Sequence, residues 1–451
     1  MPACDAMKFL SRIDEKPPLP AMTTAALQWF IVLMPSALIY GMIVAPMLYH
    51  DPVQQMQVLQ VIFVVTGVCQ ILQIFIGHRL PIGTGPTGIL IIGVGAGLAF
   101  STNAIFTSMI ICGIAICILA AVKAHHLLKR LFTFNIILAV LLMSCFAVSP
   151  MILTLIIPES SAATATNYLI FAIIFTLLIL GLSCVLKGMA KQVLLPGAIV
   201  LGVGLYMVFF PFTPAAISSA PFGLFTTVAP TAFEFSLPLI FAFLFCYFTL
   251  LVVDFSAVES MELFLKPPGM NPRFRRGMAI TGLSSILAGF GGAIGCANSN
   301  FSMNVILANR QASRYPLGIA GILFIVIGCS PLIVSTLMAI PPLVIGCLFI
   351  YLLGGMFAAT LNLAKERSGG IGYNSGIVIG ISLIFAILIA FLPVTTKTLM
   401  STRIEPVLAN AFIVGIFSAL IMEHIFFRGQ AEREEEREEA DDACEEAQAR
   451  G

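Results

Sequence analysis

The sequence predicts an all-α polytopic membrane protein of fourteen transmembrane segments, arranged as seven and seven. Three observations carry the prediction. Hydrophobic residues make up 59% of the chain and charged residues only 10%, with a mean hydropathy of +1.03, which is outside the range of soluble domains. Apolar runs of about twenty residues, the length a helix needs to cross a bilayer, recur along nearly the whole chain. Two of these runs are interrupted by short polar, glycine-rich stretches, one at Pro81–Gly88 and one at Cys296–Ser302. Such breaks expose backbone N–H and C=O groups that lipid cannot satisfy, so they survive only where protein or a water-filled site covers them. Interrupted segments in corresponding halves point to the substrate site of a secondary transporter.

Taken in order, residues 1–20 form a polar, proline-ended arm with Lys8, Arg12 and Lys16. The first apolar stretch starts near Ala25 and has no small-residue cleavage site, so a span is expected there and not a cleaved signal. The first set of seven spans, within residues 21–211, is expected at about 25–47, 55–76, 84–100, 103–122, 131–156, 167–186 and 193–211. A Pro/Ser/Thr/Phe-rich connection follows over 212–235. The second set, within 236–428, is expected at about 236–264, 277–295, 301–308, 315–337, 341–361, 374–393 and 407–427. The stretches 84–100 and 301–308 are too short or too polar to cross as ordinary helices. The tail, 429–451, is low-complexity: from Glu432 onward it holds ten acids against three arginines, a net of −7 that leaves +8 for the rest. It reads as a solvated cytoplasmic terminus.

The basic residues test this count. With the N-terminus inside, the inner loops hold Arg79, Lys123, Lys129, Arg130, Lys187, Lys191, Lys266, Arg273, Arg275, Arg276, Arg310, Arg314, Lys365 and Arg367. The outer loops hold only Lys397 and Arg403. This bias places both termini in the cytoplasm of a multi-pass protein of the inner or plasma membrane.

No enzyme motif competes. The eleven cysteines form no CxxC or Cys/His pattern of metal-ligand spacing, so neither disulfides nor zinc are expected. There is no Walker A sequence, so ATP does not drive the chain directly, and nothing resembles HExxH. The expected partners are a small-molecule substrate and the lipid bilayer, with no cofactor and no nucleic acid.

The polar residues inside the spans are the candidate machinery. Asp254 lies deep in the run Pro238–Phe264, where a carboxylate costs about 2.5–3.5 kcal/mol on insertion scales. Such a position suits a group that takes up and gives back a proton. Glu259 and Glu262 lie nearer Lys266 and read as interfacial. Asn298, Ser299, Asn300 and Ser302, with Ala297 and Phe301 between them, are candidates to grip a polar solute or to satisfy the broken backbone. Thr84 and Thr87 carry the same two readings. Gly83, Gly85 and Gly88 let a backbone approach a ligand closely, and Pro86 suits a helix start. Tyr40 could stack on a planar solute or simply pack. His125 and His126, beside Lys129 and Arg130, suit a surface role.

Several stretches resemble one family. Arg275-Arg276-Gly277-Met278, Thr281-Gly282-Leu283-Ser284, Gly289-Phe290-Gly291-Gly292 and Arg310–Ser313 are similar to the nucleobase–ascorbate transporters, which include the uracil and xanthine permeases. So are Ile340–Gly346 and Leu353–Met356, and Gly83-Thr84-Gly85-Pro86-Thr87 stands where that family carries its glycine-rich third segment. The resemblance implies two inverted seven-segment repeats, core and gate domains, and short strands in segments three and ten that meet at the substrate site. It further implies nucleobase transport coupled to protons or sodium, and a homodimer. The departures are specific. The glutamate and asparagine that the family places in its tenth segment fall here on Phe301 and Ser302, and its first-helix Gln-His pair is replaced by Leu33-Met34-Pro35-Ser36. Asp254 matches its eighth-segment acid. Without that glutamate, two half-helix N-termini are left that favour anions, so an organic or inorganic anion carrier on the same fold is the alternative reading, and a channel a lesser one. Cysteine-accessibility labelling is expected to find residues 123–130, 266–276 and 365–368 on the cytoplasmic side. Labelling of 266–276 from outside in intact cells would overturn the topology.

Overall fold

The computed structural model describes residues 11–122, 133–147, 149–157, 165–186, 194–211, 220, 222–223, 228–299, 302, 305–306, 311–368, 371–393 and 411–427. His125, His126, Asn300, Phe301 and the acidic tail lie outside them. The first half runs α1 (Leu19–Leu48), α2 (Pro52–Phe75), β1 (Thr84–Pro86), α3 (Gly88–Ala96), α4 (Thr102–Ala121), α5 (Phe134–Ala147), α6 (Ser149–Ile156), α7 (Ala165–Val185) and α8 (Leu194–Phe209). The second runs α9 (Leu237–Leu265), α10 (Met270–Gly291), β2 (Cys296–Asn298), α11 (Tyr315–Gly328), α12 (Pro331–Met338), α13 (Pro342–Ser368), α14 (Tyr373–Ala390) and α15 (Ala411–Ile421), which ends in a π-helical turn at Met422–Phe426. Among the described residues, seven helices are long and apolar enough to cross a membrane, and α11 with α12 would make an eighth. The chain is a multi-pass membrane protein.

Helix boundaries follow local chemistry. Asp51 caps α2 by accepting from Val53 N–H, with Pro52 at the first helical position. Ser101 caps α4 by accepting from Ala104 N–H. The expected span at 277–295 begins earlier, at Met270: the preceding helix stops at left-handed Lys266 (φ 47°), Gly269 (φ 71°) turns the chain into the next one, and Pro272 fits a first turn that needs no donor. Arg273, Arg275 and Arg276 therefore stand on the opening turns of α10 and not in a loop. Lys365 and Arg367 likewise fall within the last turn of α13 and not in a loop. The expected span at 315–337 is two helices bent by 86° at Cys329–Ser330, since Pro331 cannot continue the helical hydrogen bonding.

Helices from the two halves interlock in matched pairs: α2 packs on α11, and α4 on α10. The crossings are near copies. A Cβ on Gly67 would stand 2.4 Å from Gly321 O and 2.7 Å from Ile325 Cγ1, and a Cβ on Gly113 would stand 2.8 Å from Gly282 O and 2.9 Å from Ile286 Cγ1. With no hydrophobic force between helices in lipid, such close backbone packing is what holds spans together. A second, smaller apolar core joins α5, α14 and α15 around Ile136, Met143, Ala386 and Ile416. The face of α7 carrying Ile170, Ile173, Ile174 and Leu177 is exposed, as a lipid-facing surface requires.

The described part of the N-terminal arm, from Ser11 onward, is tied to the second half of the chain. Ser11 pairs with Gln311 in a short parallel bridge, Ala312 and Arg314 donate their N–H groups to Ser11 O and Ile13 O, and Asp14 forms an ion pair with Arg314 at 2.8 Å. Replacing Gly282 with Val is expected to lower the melting temperature of the purified protein, since the new Cβ would stand 2.7 Å from Cys117 Sγ and 2.8 Å from Gly113 O, an overpacking cost of about 1–3 kcal/mol. Gly181→Ala, at a position with nothing within 4 Å of the added carbon, is expected to leave it unchanged or raise it.

Candidate functional site

Both polar breaks end as three-residue strands, and the two strands pair with each other. β1 and β2 run antiparallel, with Thr84 opposite Asn298, Gly85 opposite Ala297 and Pro86 opposite Cys296. Ser299 N–H extends the ladder to Gly83 O at 2.8 Å. Three residues cannot satisfy a backbone by themselves, so buried side chains complete the set. Ser302 Oγ accepts from Gly83 N–H (2.9 Å) and donates to Ser299 O (2.7 Å). Gln70, from α2, donates to Ile82 O (3.1 Å) and accepts from both Thr84 N–H (2.6 Å) and Thr84 Oγ1 (3.1 Å). Ser284, from α10, bonds the amide and carbonyl of Cys296. Here α2 and α10 do for the broken backbone what water would do outside the membrane.

Beyond the strand, Thr87 caps α3 and accepts from Ile89 N–H. The α3 amino end faces the ring of Tyr40, whose Cε1 would lie 3.2 Å from a Cβ on Gly88, and Tyr40 packs edge-on against Phe349. Ser36, also on α1, stands beside Gly85. Gly85, Thr87, Gly88, Ser299, Ser36 and Tyr40 are half-buried, whereas Gly83, Thr84, Ala297, Asn298 and Ser302 are buried. The candidate residues from α1, β1 and β2 thus form one cluster at the strand crossing. Within it, Thr84 and Ser302 already hold the backbone, and Asn298 is tied on one side.

Asp254 joins this cluster from α9. It is 4% exposed, and both its oxygens are engaged: Oδ1 accepts from Asn298 N–H and Oδ2 from Thr281 Oγ1, each at 2.8 Å. Thr281 in turn accepts from Gln73 Nε2 (3.2 Å), which also donates to Gly277 O (3.0 Å). The carboxylate therefore links α9, α10 and β2, and through Gln73 reaches α2. Asn298 Oδ1 lies 3.2 Å from His78 Nε2, in the turn between α2 and β1. Arg273 donates to the carbonyls of His78 and Arg79, and Arg314 to Ile74 O. Gln70, Gln73, His78, Thr281 and Ser284 are the buried polar residues of this cluster that the sequence did not single out as site candidates. The signal for the first two was present, since glutamines in an apolar span demand partners. Among the described residues no group of three or more His, Cys, Asp or Glu could hold a metal ion.

The sequence pattern of the permease family (Xan_ur_permease) matches residues 21–395. "Putative purine permease YwdJ" of Bacillus subtilis (strain 168) is 24% identical over 424 residues, covering 88% of this chain and 94% of its own. "Putative purine permease CPE0397" of Clostridium perfringens (strain 13 / Type A) is 25% identical over 259 residues, 56% of this chain and 54% of its own. Among solved structures, the transmembrane domain of a cyanobacterium bicarbonate transporter, BicA, is similar with a TM-score of 0.60 at 11% identity, covering 82% of this chain and 96% of its own. The murine anion transporter Slc26a9 in its inward-facing state has a TM-score of 0.55 at 11% identity, over 90% and 69%. At these identities the structures speak for the fold alone.

Gln70→Leu is expected to strand Ile82 O and Thr84 N–H, at about 1–3 kcal/mol for each group left unpaired, and to lower the melting temperature of the purified protein. Gln70→Glu, which keeps the acceptor for Thr84, is expected to lose less; equal losses would mean that the Thr84 bonds contribute nothing.

Proposed function

Because the chain belongs to the permease family, we propose that it is a secondary active transporter of a small polar solute, with a purine-like nucleobase as the first substrate class. The observation that carries this reading is the pairing of the two interrupted segments beside half-buried Tyr40, Gly85, Thr87, Gly88 and Ser299. These present a ring, a helix amino end and hydroxyls to one place, which suits a flat solute with donors and acceptors on its edge. The names of the two bacterial relatives agree with a purine. In this reading the fourteen segments form two inverted repeats, and the matched Gly67–Gly321 and Gly113–Gly282 crossings are what such symmetry produces. The core domain holds the strands and α5, α14 and α15 belong to the gate.

Asp254 carries the coupling proton. Its two acceptor bonds suit the ionised form, and Thr281 supplies a hydroxyl that can turn from donor to acceptor when the acid is protonated. Because Oδ1 holds β2 by Asn298 N–H, a change of charge at Asp254 acts directly on one wall of the site. The family's range leaves sodium as the other coupling ion.

An anion exchanger is the second reading, favoured by the α3 amino end that opens at Gly88 and consistent with the printed names of the structural neighbours. An ionised Asp254 beside β2 would repel an anion there, so the neutral solute stands first. Uptake into vesicles of hypoxanthine, xanthine and uracil against bicarbonate and small carboxylates separates the two. Asp254→Asn keeps an acceptor for Asn298 N–H and a donor for Thr281. It is therefore expected to abolish proton-driven accumulation while leaving solute exchange largely intact. Loss of exchange as well would make Asp254 a binding or structural group and end its proton role.

A further inference from the structure

We propose that the amino end of α10 is a site for one anionic phospholipid. Arg276, with Arg275 and Arg79, holds its phosphate, and an acyl chain lies along the exposed face of Leu283 and Leu287. The inference lies outside the transport reading and does not rest on it.

Charge is the first observation. α10 carries Arg273, Arg275 and Arg276 in its opening turns and no acid in its first turn, although the amino end of a helix is the positive end of its dipole and favours anions. Arg276 has Arg79 and Arg275 as charged neighbours. Arg273 has Arg79, Arg276 and Arg314, with Asp14 the acid beside them, and Asp14 is already in an ion pair with Arg314. The arginines differ in what they have left to donate. Arg273 directs Nε to Pro268 O and Nη1 to the carbonyls of His78 and Arg79. Arg314 gives Nη1 to Ile74 O. Arg79 and Arg275 are exposed, and Arg79 gives only Nε, to Phe75 O. Arg276 is half-buried, and its Nε is fully buried without a hydrogen bond to any described residue. A buried guanidinium donor calls for an acceptor, and the oxygens of a phosphate match the arginine fork with two parallel bonds.

Shape is the second observation. Leu283 and Leu287 follow Arg276 by seven and eleven positions, which returns them to the same side of the helix, and they are 36% and 38% exposed. Thr281, Ser284 and Ser285, on the opposite side, are buried. By the helical rise the two leucines stand about 10 and 16 Å from Arg276, which spans the roughly 15 Å of hydrocarbon in one leaflet. A basic head therefore stands at the end of an apolar stripe one leaflet long. A free phosphate would use only the head, and a lipid without net charge would leave the arginines uncompensated. An anionic phospholipid uses both. In the topology read from the basic residues this is the cytoplasmic leaflet, whose anionic lipids attract basic groups at the surface.

Native mass spectrometry of the full-length protein in neutral detergent, titrated with phosphatidylglycerol, tests this. One lipid per chain is expected to bind roughly tenfold more tightly than phosphatidylcholine, which has the same phosphate without net charge. Arg276→Gln is expected to weaken it about fivefold, the share of one basic residue near an anionic surface, and adding Arg275→Gln weakens it further. Lys365→Gln with Arg367→Gln removes the same charge from the end of α13 and is expected to change binding by less than about twofold. Equal weakening by the two pairs means diffuse attraction to a basic surface and overturns the proposal, as does weakening by neither. Inorganic phosphate in excess is expected not to displace the lipid; if it does, the site takes a free anion and the lipid assignment falls. Should Arg276→Gln not purify as folded protein, the wild type decides. Phosphatidylglycerol with a photoactivatable acyl chain is expected to label the segment holding Leu283 and Leu287, and labelling confined to other helices overturns the proposal.

Discussion

Everything in this molecule depends on satisfying two stretches of non-helical backbone inside a bilayer. Helices satisfy their own peptide groups and can stand anywhere in lipid; the turns and strands around Thr84–Pro86 and Cys296–Asn298 cannot. Pairing them with each other answers part of the demand. The remainder falls on α2 and α10, which is why these helices carry Gln70, Gln73, Thr281 and Ser284 where ordinary spans would carry apolar residues. The same demand explains the small residues at the α2–α11 and α4–α10 crossings. Only closely packed helices can bring short side chains such as Ser284 and Thr281 within reach of a strand buried between them.

A second theme is how one carboxylate is shared. Asp254 is the buried acid at which three elements meet, and each of its oxygens accepts from a different one. A buried charge is tolerable when its hydrogen bonds are complete, and here completeness ties a possible change of protonation to the placement of β2. The hydrogen-bonded chain Gln73–Thr281–Asp254–Asn298–His78 joins these elements, passing through the Asn298 backbone N–H, and the arginines at 273 and 314 anchor its outer end to the neighbouring backbone carbonyls. The contact of Asp14 and Ser11 with the chain around Arg314 extends this anchoring to the N-terminal arm.

Much of the fold was legible in the sequence because membrane insertion is read from composition over windows of about twenty residues. Apolar runs that long leave little freedom, and helices such as α2, α4 and α9 fall close to the stretches read for them. The misreadings are local and share a cause. Proline, glycine and basic residues at the edge of a run can lie either in a loop or in a terminal helical turn. Hydropathy assigns Arg273–Arg276 to a loop, yet Gly269 and Pro272 start the helix before them. The Cys329–Ser330 bend was hidden because both sides of it are equally apolar.

What the sequence determined by itself is that the chain crosses the membrane many times, that two segments break at depth, and that Asp254 is an acid buried among apolar residues. These follow from unfavourable transfer energies, which depend on residue type and local run and not on partners. What only the tertiary structure decided is who satisfies whom. Nothing along the chain sets Gln70 and Gln73 against β1 and α10, or brings His78 to Asn298, 220 positions away; packing does both. Hydrogen bonds reach about 3 Å and need direction, so the identity of a buried partner is fixed by packing across the chain and is invisible along it.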